Sequence, residues 1–308
     1  MSLLKFLSLG LVAVVALVPL GASAAEASQP LVSARWLRAH GGDAGVVVVS
    51  IDASGAAYRG GGHIPGARLW DTAQLGGYVD LPGGRRAWPG DRGVTAVVDR
   101  LGLSPSDHVV LTTADDSIYS AGLAARAFLI LRAAGFGDVS LLDGGTGGWV
   151  QARFPLSHAA APAVTPSGFR DTRAVPGWIG GTARVHRIWQ GHRVLFVDAR
   201  AGSGYRAGHI PGAIDVPSGL LFDEQPTFDQ TFPTFYAYRP VAALRSLYRA
   251  HGLTRGRTVM FYCGSGLLSA EQVFVARYLL GRGTVDYYPG SIAAWEAAHL
   301  PIRRGAAP

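Results

Sequence analysis

Short apolar runs alternate along this chain with amphipathic stretches and turns that contain glycine. Val47–Ile51, Val109–Leu111 and Val139–Leu142 read as buried strands, and so do Val194–Val197, Val259–Tyr262 and Val285–Tyr288. Helical spacing lies between them: Ala270, Val273, Phe274, Ala276, Leu279 and Leu280 mark one face of a helix. Strands that alternate with helices predict an α/β fold, with mostly parallel sheets covered by helices on both faces.

The pattern occurs twice. Val47-Val-Val-Ser-Ile-Asp52 precedes Gly62-His-Ile-Pro-Gly-Ala67, and Val194-Leu-Phe-Val-Asp198 precedes Gly208-His-Ile-Pro-Gly-Ala213. Asp52 and Asp198, His63 and His209, and Trp149 and Trp295 all stand 146 residues apart, which marks a duplicated domain. An Ala-Arg pair also recurs on the two helices, as Ala125-Arg126 and Ala276-Arg277. Residues 25–158 form the first copy and 184–308 the second. The segment 159–183, rich in Ala, Pro, Gly and Thr, reads as a linker.

Residues 1–24 differ from the rest. Lys5 supplies a positive start, Phe6–Leu20 is mostly apolar, and Ala22-Ser23-Ala24 fits a small-residue cleavage site. That is a signal-peptide pattern, and it predicts an exported, periplasmic or secreted protein with no stable membrane association after cleavage. Net charge is +7, carried by scattered arginines with Lys5 as the only lysine, which suits anion handling more than nucleic-acid binding. The nine histidines are dispersed, so no metal site is expected. No cofactor is expected either.

The chain has one cysteine, Cys263, so an internal disulfide is impossible. It lies between an apolar strand and a helix, in the small loop Cys263-Gly-Ser-Gly-Leu-Leu268. Ligands of parallel sheets sit at the carboxyl ends of strands. A loop with inward N–H groups at a helix start favours an anion, and hence a thiolate or persulfide. The first copy reads Leu111-Thr-Thr-Ala-Asp-Asp-Ser-Ile118 there, without a thiol.

These landmarks resemble the rhodanese superfamily, specifically its tandem two-domain sulfurtransferases, over nearly all of residues 30–303. The Cys263-Gly-Ser-Gly266 loop is similar to that of the 3-mercaptopyruvate sulfurtransferases. Thiosulfate sulfurtransferases of the family usually carry Arg then Lys after the cysteine, where this chain has Gly264 and Ser265. Phosphatases of this fold close a longer loop with an arginine, and none follows Cys263 until Arg277. The resemblance implies that Cys263 takes sulfur from a small anionic donor and passes it to cyanide or a thiol, either a small thiol or a thioredoxin-like protein. Mercaptopyruvate is the favoured donor, with thiosulfate as the alternative. A persulfide carrier with slow turnover is the other reading.

The resemblance also implies a relay of Ser265, His63 and Asp52 reaching across from the first domain. The same His and Asp recur as His209 and Asp198; His209 is read as structural and His63 as catalytic, with stabilisation of the turn as the alternative for both. Gly264, Gly266, Leu267 and Leu268 would line the donor site. The family's anion-binding arginine falls at Gly204, which leaves Arg200 or Arg206 to take its place, with a strand-end salt bridge as the alternative for Arg200, and Leu268 stands where the family often has Thr.

Overall fold

Strand β2 (Val46–Asp52) buries all of its residues from Val48 onward, as a strand covered on both faces must. The computed structural model describes residues 29–306 apart from 76–78, 82–84, 114–116, 171–172, 174 and 255. The signal segment 1–24 lies outside the described residues. Around β2, the first half contains β1 (Leu31–Val32), α1 (Ala34–His40), α2 (Ala56–Gly60), β3 (Arg68–Asp71), α3 (Thr72–Leu75) and a hairpin of β4 (Val79–Leu81) and β5 (Arg85–Ala87). It ends with α4 (Asp91–Arg100), β6 (His108–Thr113), α5 (Ile118–Ala133), β7 (Asp138–Leu142) and α6 (Gly145–Gln151). The second half contains α7 (Thr182–Gln190), β8 (Leu195–Asp198), α8 (Gly202–Ala207), β9 (Ile214–Asp215) and a hairpin of β10 (Phe222–Pro226) and β11 (Thr234–Tyr238). It ends with α9 (Val241–Ala250), β12 (Val259–Tyr262), α10 (Leu268–Phe274), β13 (Val285–Tyr287) and α11 (Ser291–Ala297).

Each half builds one parallel sheet, in the order β1-β7-β6-β2-β3 and β13-β12-β8-β9. The expected α/β architecture is therefore present twice. The two antiparallel hairpins fall in the stretches the apolar pattern left as connections. Helix α7 begins at Thr182, at the end of the segment read as the linker. The linker lies against the body: Arg173 donates to the carbonyl of Ala134 at 2.6 Å, and Ile179 bridges to Tyr287.

The halves meet along α5 and α10. Helix α5 is buried on nearly every face from Ser120 to Leu131, as expected for a helix pressed between a sheet and another domain. Phe128 meets Phe274 edge-on at 4.9 Å, a pairing that contributes about 0.5–1.5 kcal/mol beyond its area. Nearer the helix start, Gly122 lies against Leu267, and a Cβ there would stand 3.0 Å from the Leu267 carbonyl carbon. The cysteine loop of the second domain is thus seated directly on a helix of the first.

Candidate active site

Cys263 follows the last residue of β12, at the carboxyl end of the second sheet, and is 2% exposed. The Gly266 amide donates to its Sγ at 3.1 Å, and the Ser269 hydroxyl lies 3.5 Å from it. Ser291 accepts from the Cys263 amide at 3.0 Å and keeps its Oγ 3.9 Å from the sulfur. The amide of Ile292 donates to the Cys263 carbonyl at 3.1 Å, and that of Ala293 to the Gly264 carbonyl at 3.2 Å. A sulfur surrounded by N–H and O–H donors in a tight loop is stabilised as an anion.

Gly266 holds this turn at φ +91°, and a Cβ there would meet the Pro289 carbonyl at 2.4 Å and Arg126 Nη1 at 2.7 Å. Arg126 comes from α5, is fully buried, and donates to the Tyr287 hydroxyl at 3.1 Å. Tyr287 in turn donates to the Gly266 carbonyl. Ser291 sits at φ +52°, where its counterpart 146 residues earlier is Gly145 at φ +56°. A non-glycine residue in that region stores about 1–3 kcal/mol of strain.

Above the sulfur opens a cavity of about 360 Å³. Gly264, Ser265, Leu267 and Leu268 line it, with Ala201, Ser203 and Gly204 opposite and the exposed Tyr119 of α5 at its edge. Arg200 lines it too, but its guanidinium is committed. Nη2 reaches Asp198 Oδ2 at 2.6 Å and the Gly208 carbonyl at 2.5 Å, and Nε reaches Asp198 Oδ1 at 3.0 Å. Burial opposes the Arg200 charge, yet the bond to Asp198 holds its pKa above the ordinary value. Gly204 makes room for this pose, since a Cβ there would touch Arg200 Cβ at 3.3 Å. Arg206 does not line the cavity. A Cβ at Gly202 would meet its Nη1 and Asp215 Oδ2, each at 3.1 Å, which places the guanidinium on the Asp215 side.

The expected relay is not assembled. His63 stacks on Tyr58 at 3.7 Å and hydrogen-bonds the Tyr58 carbonyl through Nδ1 at 3.3 Å. Its backbone pairs with Ser157. Asp52 accepts from the amides of Ser54 at 3.0 Å and Tyr58 at 2.9 Å, so it caps the turn and leaves the imidazole alone. His209 stacks on Tyr205 at 3.8 Å with the same 6° tilt, and its Nδ1 meets the Tyr205 carbonyl. Both motifs therefore serve their turns. Burial pushes His63 below its ordinary value of 6.5, with the Tyr58 carbonyl opposing and His158 adding to the shift.

Sequence reasoning did not single out Ser269, Ser291, Ser203 or Tyr119, and it read Arg126 only as a repeat landmark. Ser291 had a signal: it replaces a glycine of the first copy at a fixed offset. The others are brought in by tertiary packing.

Two expectations follow. Ser291→Gly should relieve backbone strain and lose the hydroxyl, leaving the thermal midpoint above that of Ser291→Ala while both turn over poorly. Wild-type turnover in the glycine variant would remove Ser291 from the site. His63→Ala and His209→Ala should each cost about 1–2 kcal/mol in denaturant unfolding through lost stacking and hydrogen bonding. Turnover measured on folded protein should change alike in both. The neutral His63 ring adds stability that is present in full above pH 6.5 and is lost as pH falls through its lower folded value. A loss of turnover confined to His63→Ala would restore the relay.

The Rhodanese-like domain family matches residues 33–152 and 183–298. SseB of Mycobacterium tuberculosis, named for thiosulfate sulfurtransfer, is 30% identical over 270 residues, covering 80% of this chain and 84% of SseB. Human 3-mercaptopyruvate sulfurtransferase is 28% identical over 245 residues, with 76% of each chain covered. The sulfur carrier protein TtuD of Thermus thermophilus is 28% identical over 303 residues, covering 89% of this chain and 96% of TtuD. The fold is shared with SseA of Escherichia coli at a TM-score of 0.71 and 24% identity, covering 86% of this chain and 99% of that one. With both halves matched, the chain belongs to the rhodanese family as a tandem of two such domains, the second of which carries the cysteine.

Proposed function

We propose that this tandem rhodanese is a sulfurtransferase that carries sulfur as a persulfide on Cys263, with 3-mercaptopyruvate as its donor. The observation that carries the reading is the single thiol at the base of an open cavity, with Gly266 N–H and Ser269 O–H directed at its sulfur. The Cys263 thiolate attacks the donor sulfur. The S–S bond forms as the donor's C–S bond breaks, and pyruvate leaves as its enolate, which then takes up a proton. An acceptor thiol or cyanide removes the outer sulfur and regenerates the thiolate.

Charge supports mercaptopyruvate over thiosulfate as the donor. A cation beside the sulfur would suit dianionic thiosulfate, and Gly264 supplies none, although a Cβ there meets nothing within 4 Å. The gap in charge is therefore not forced by packing. Arg200 is already neutralised by the fully buried Asp198, so it offers a donor a weaker field than a free guanidinium would. A carbonyl donor of lower charge density fits better. The same tied arginine supports the second reading, a persulfide carrier with slow turnover, and a chain-length relative is named as a sulfur carrier. The N-terminal pattern supports export, where a low-molecular-weight thiol or a thioredoxin-like protein would serve as acceptor.

Steady-state turnover with cyanide as acceptor tests this. Mercaptopyruvate should exceed thiosulfate in kcat/KM, and Gly264→Arg should raise the thiosulfate value several-fold. A wild-type preference for thiosulfate would reverse the donor assignment. Slow turnover with both would favour the carrier.

A further inference from the structure

Three side chains meet beside the Gly266 turn, and they come from both domains. Arg126 of α5 is fully buried, with its guanidinium 6.0 Å from the ring centre of Trp88, which follows β5. Tyr287, the last residue of β13, is also fully buried and meets Trp88 edge-on at 6.1 Å. Arg126 Nη1 donates to the Tyr287 hydroxyl at 3.1 Å, and that hydroxyl donates to the Gly266 carbonyl. On its other side the same glycine donates its amide to Cys263 Sγ at 3.1 Å. A chain of hydrogen bonds, passing through one glycine, thus joins a helix of the first domain to the sulfur of the second.

The duplication shows that packing alone does not call for this chain. The matching arginine of the second copy, Arg277, turns to its own strand: it donates to the Val285 carbonyl at 3.1 Å, with its guanidinium 4.8 Å from the ring centre of Trp178. The residue 146 positions before Tyr287 is Leu141, which has no hydroxyl. Burying a guanidinium is costly, and an apolar side chain of similar volume serves plain packing as well or better. What the guanidinium adds is direction. Arginine has donors and no acceptor, so the Tyr287 oxygen can only accept from it, and the phenolic proton is committed to the Gly266 carbonyl.

We propose that Arg126 and Tyr287 are positioning residues for sulfur transfer, which pin the Gly266 backbone so that its N–H stays aimed at Sγ while charge moves on and off that atom. The inference rests on the persulfide reading. When cyanide attacks the outer sulfur, a C–S bond forms as the S–S bond breaks. The electron pair of the S–S bond stays on Cys263 Sγ, and the outer sulfur leaves in thiocyanate. Negative charge therefore gathers on the atom that faces the Gly266 amide. A donor fixed before the step needs no reorganisation during it. With its carbonyl released, a glycine at φ +91° can rotate at little cost, and the N–H loses its aim. Neither Arg126 nor Tyr287 lines the cavity above the sulfur, so both act through Gly266.

Single-turnover discharge tests this. The full chain is loaded with inorganic polysulfide, one added sulfur is confirmed by intact mass, and thiocyanate release is followed after mixing with excess cyanide. Tyr287→Phe removes one oxygen and keeps the ring, and it should slow discharge about tenfold, through a misdirected donor at the developing charge. Arg126→Met should do the same, while Arg126→Lys, which keeps a donor for the hydroxyl, should recover most of the rate. Because the arginine acts through the tyrosine, the double variant should be no slower than the slower single one. Thermal midpoints identify the folded variants, and if Arg126→Met does not fold, Tyr287→Phe decides alone. Discharge at the wild-type rate in Tyr287→Phe, a double variant slowed by the product of the two single losses, or an Arg126→Lys variant as slow as Arg126→Met overturns the proposal. A wild-type chain that takes up no sulfur overturns the persulfide reading, and this inference with it.

Discussion

The turn at Gly266 is the constraint on which the rest of the site depends. It needs φ +91° and leaves no space for a side chain, with the Pro289 carbonyl and Arg126 Nη1 both inside contact distance of a Cβ. In return its amide is aimed at the sulfur at 3.1 Å. Its carbonyl is fixed by Tyr287, which is fixed by Arg126 of the other domain. Gly122 lets the same helix press on Leu267. The shape of the loop is therefore set from outside its own domain, and α5 accordingly spends its whole middle in the interior.

The duplication shows what is structural and what is chemical. Both copies keep the His-Ile-Pro-Gly-Ala turn, the stacked Tyr and His, and a left-handed residue at the start of the last helix. Only the second places a sulfur at the strand end. In the first, the matching region near Thr113 and Gly145 is reduced to about 30 Å³ and closed by Tyr236 and Tyr238 of β11. Helix α5 of the first domain walls the cysteine loop of the second, and β11 of the second lines the small cleft of the first.

The fold was legible because buried parallel strands leave unmistakable apolar runs, and a fixed offset repeats every landmark. Cys263 and its glycines were legible because a tight anion-holding loop requires those residue types. The relay through His63 is not joined by hydrogen bonds in the structure: the motif is the same in both copies, and Tyr58, which stacks on the ring, is five residues away in sequence yet invisible as a contact. Arg200 was found, with a strand-end salt bridge weighed beside donor binding; that Asp198 takes the guanidinium depends on Gly204 giving room for the side chain to fold back. Arg206 lies two positions beyond Gly204 on α8 and faces Asp215. Tyr119 joins the site only through the packing of α5 against the cysteine loop, and no local pattern marks that packing.

The central claim is that sulfur travels on Cys263. Intact-mass spectrometry with peptide mapping tests it most directly, after brief exposure to donor and again after cyanide. One added sulfur atom on the peptide containing Cys263, removed by cyanide, is the expected result. Turnover without any such adduct, or full activity in Cys263→Ser, would contradict it.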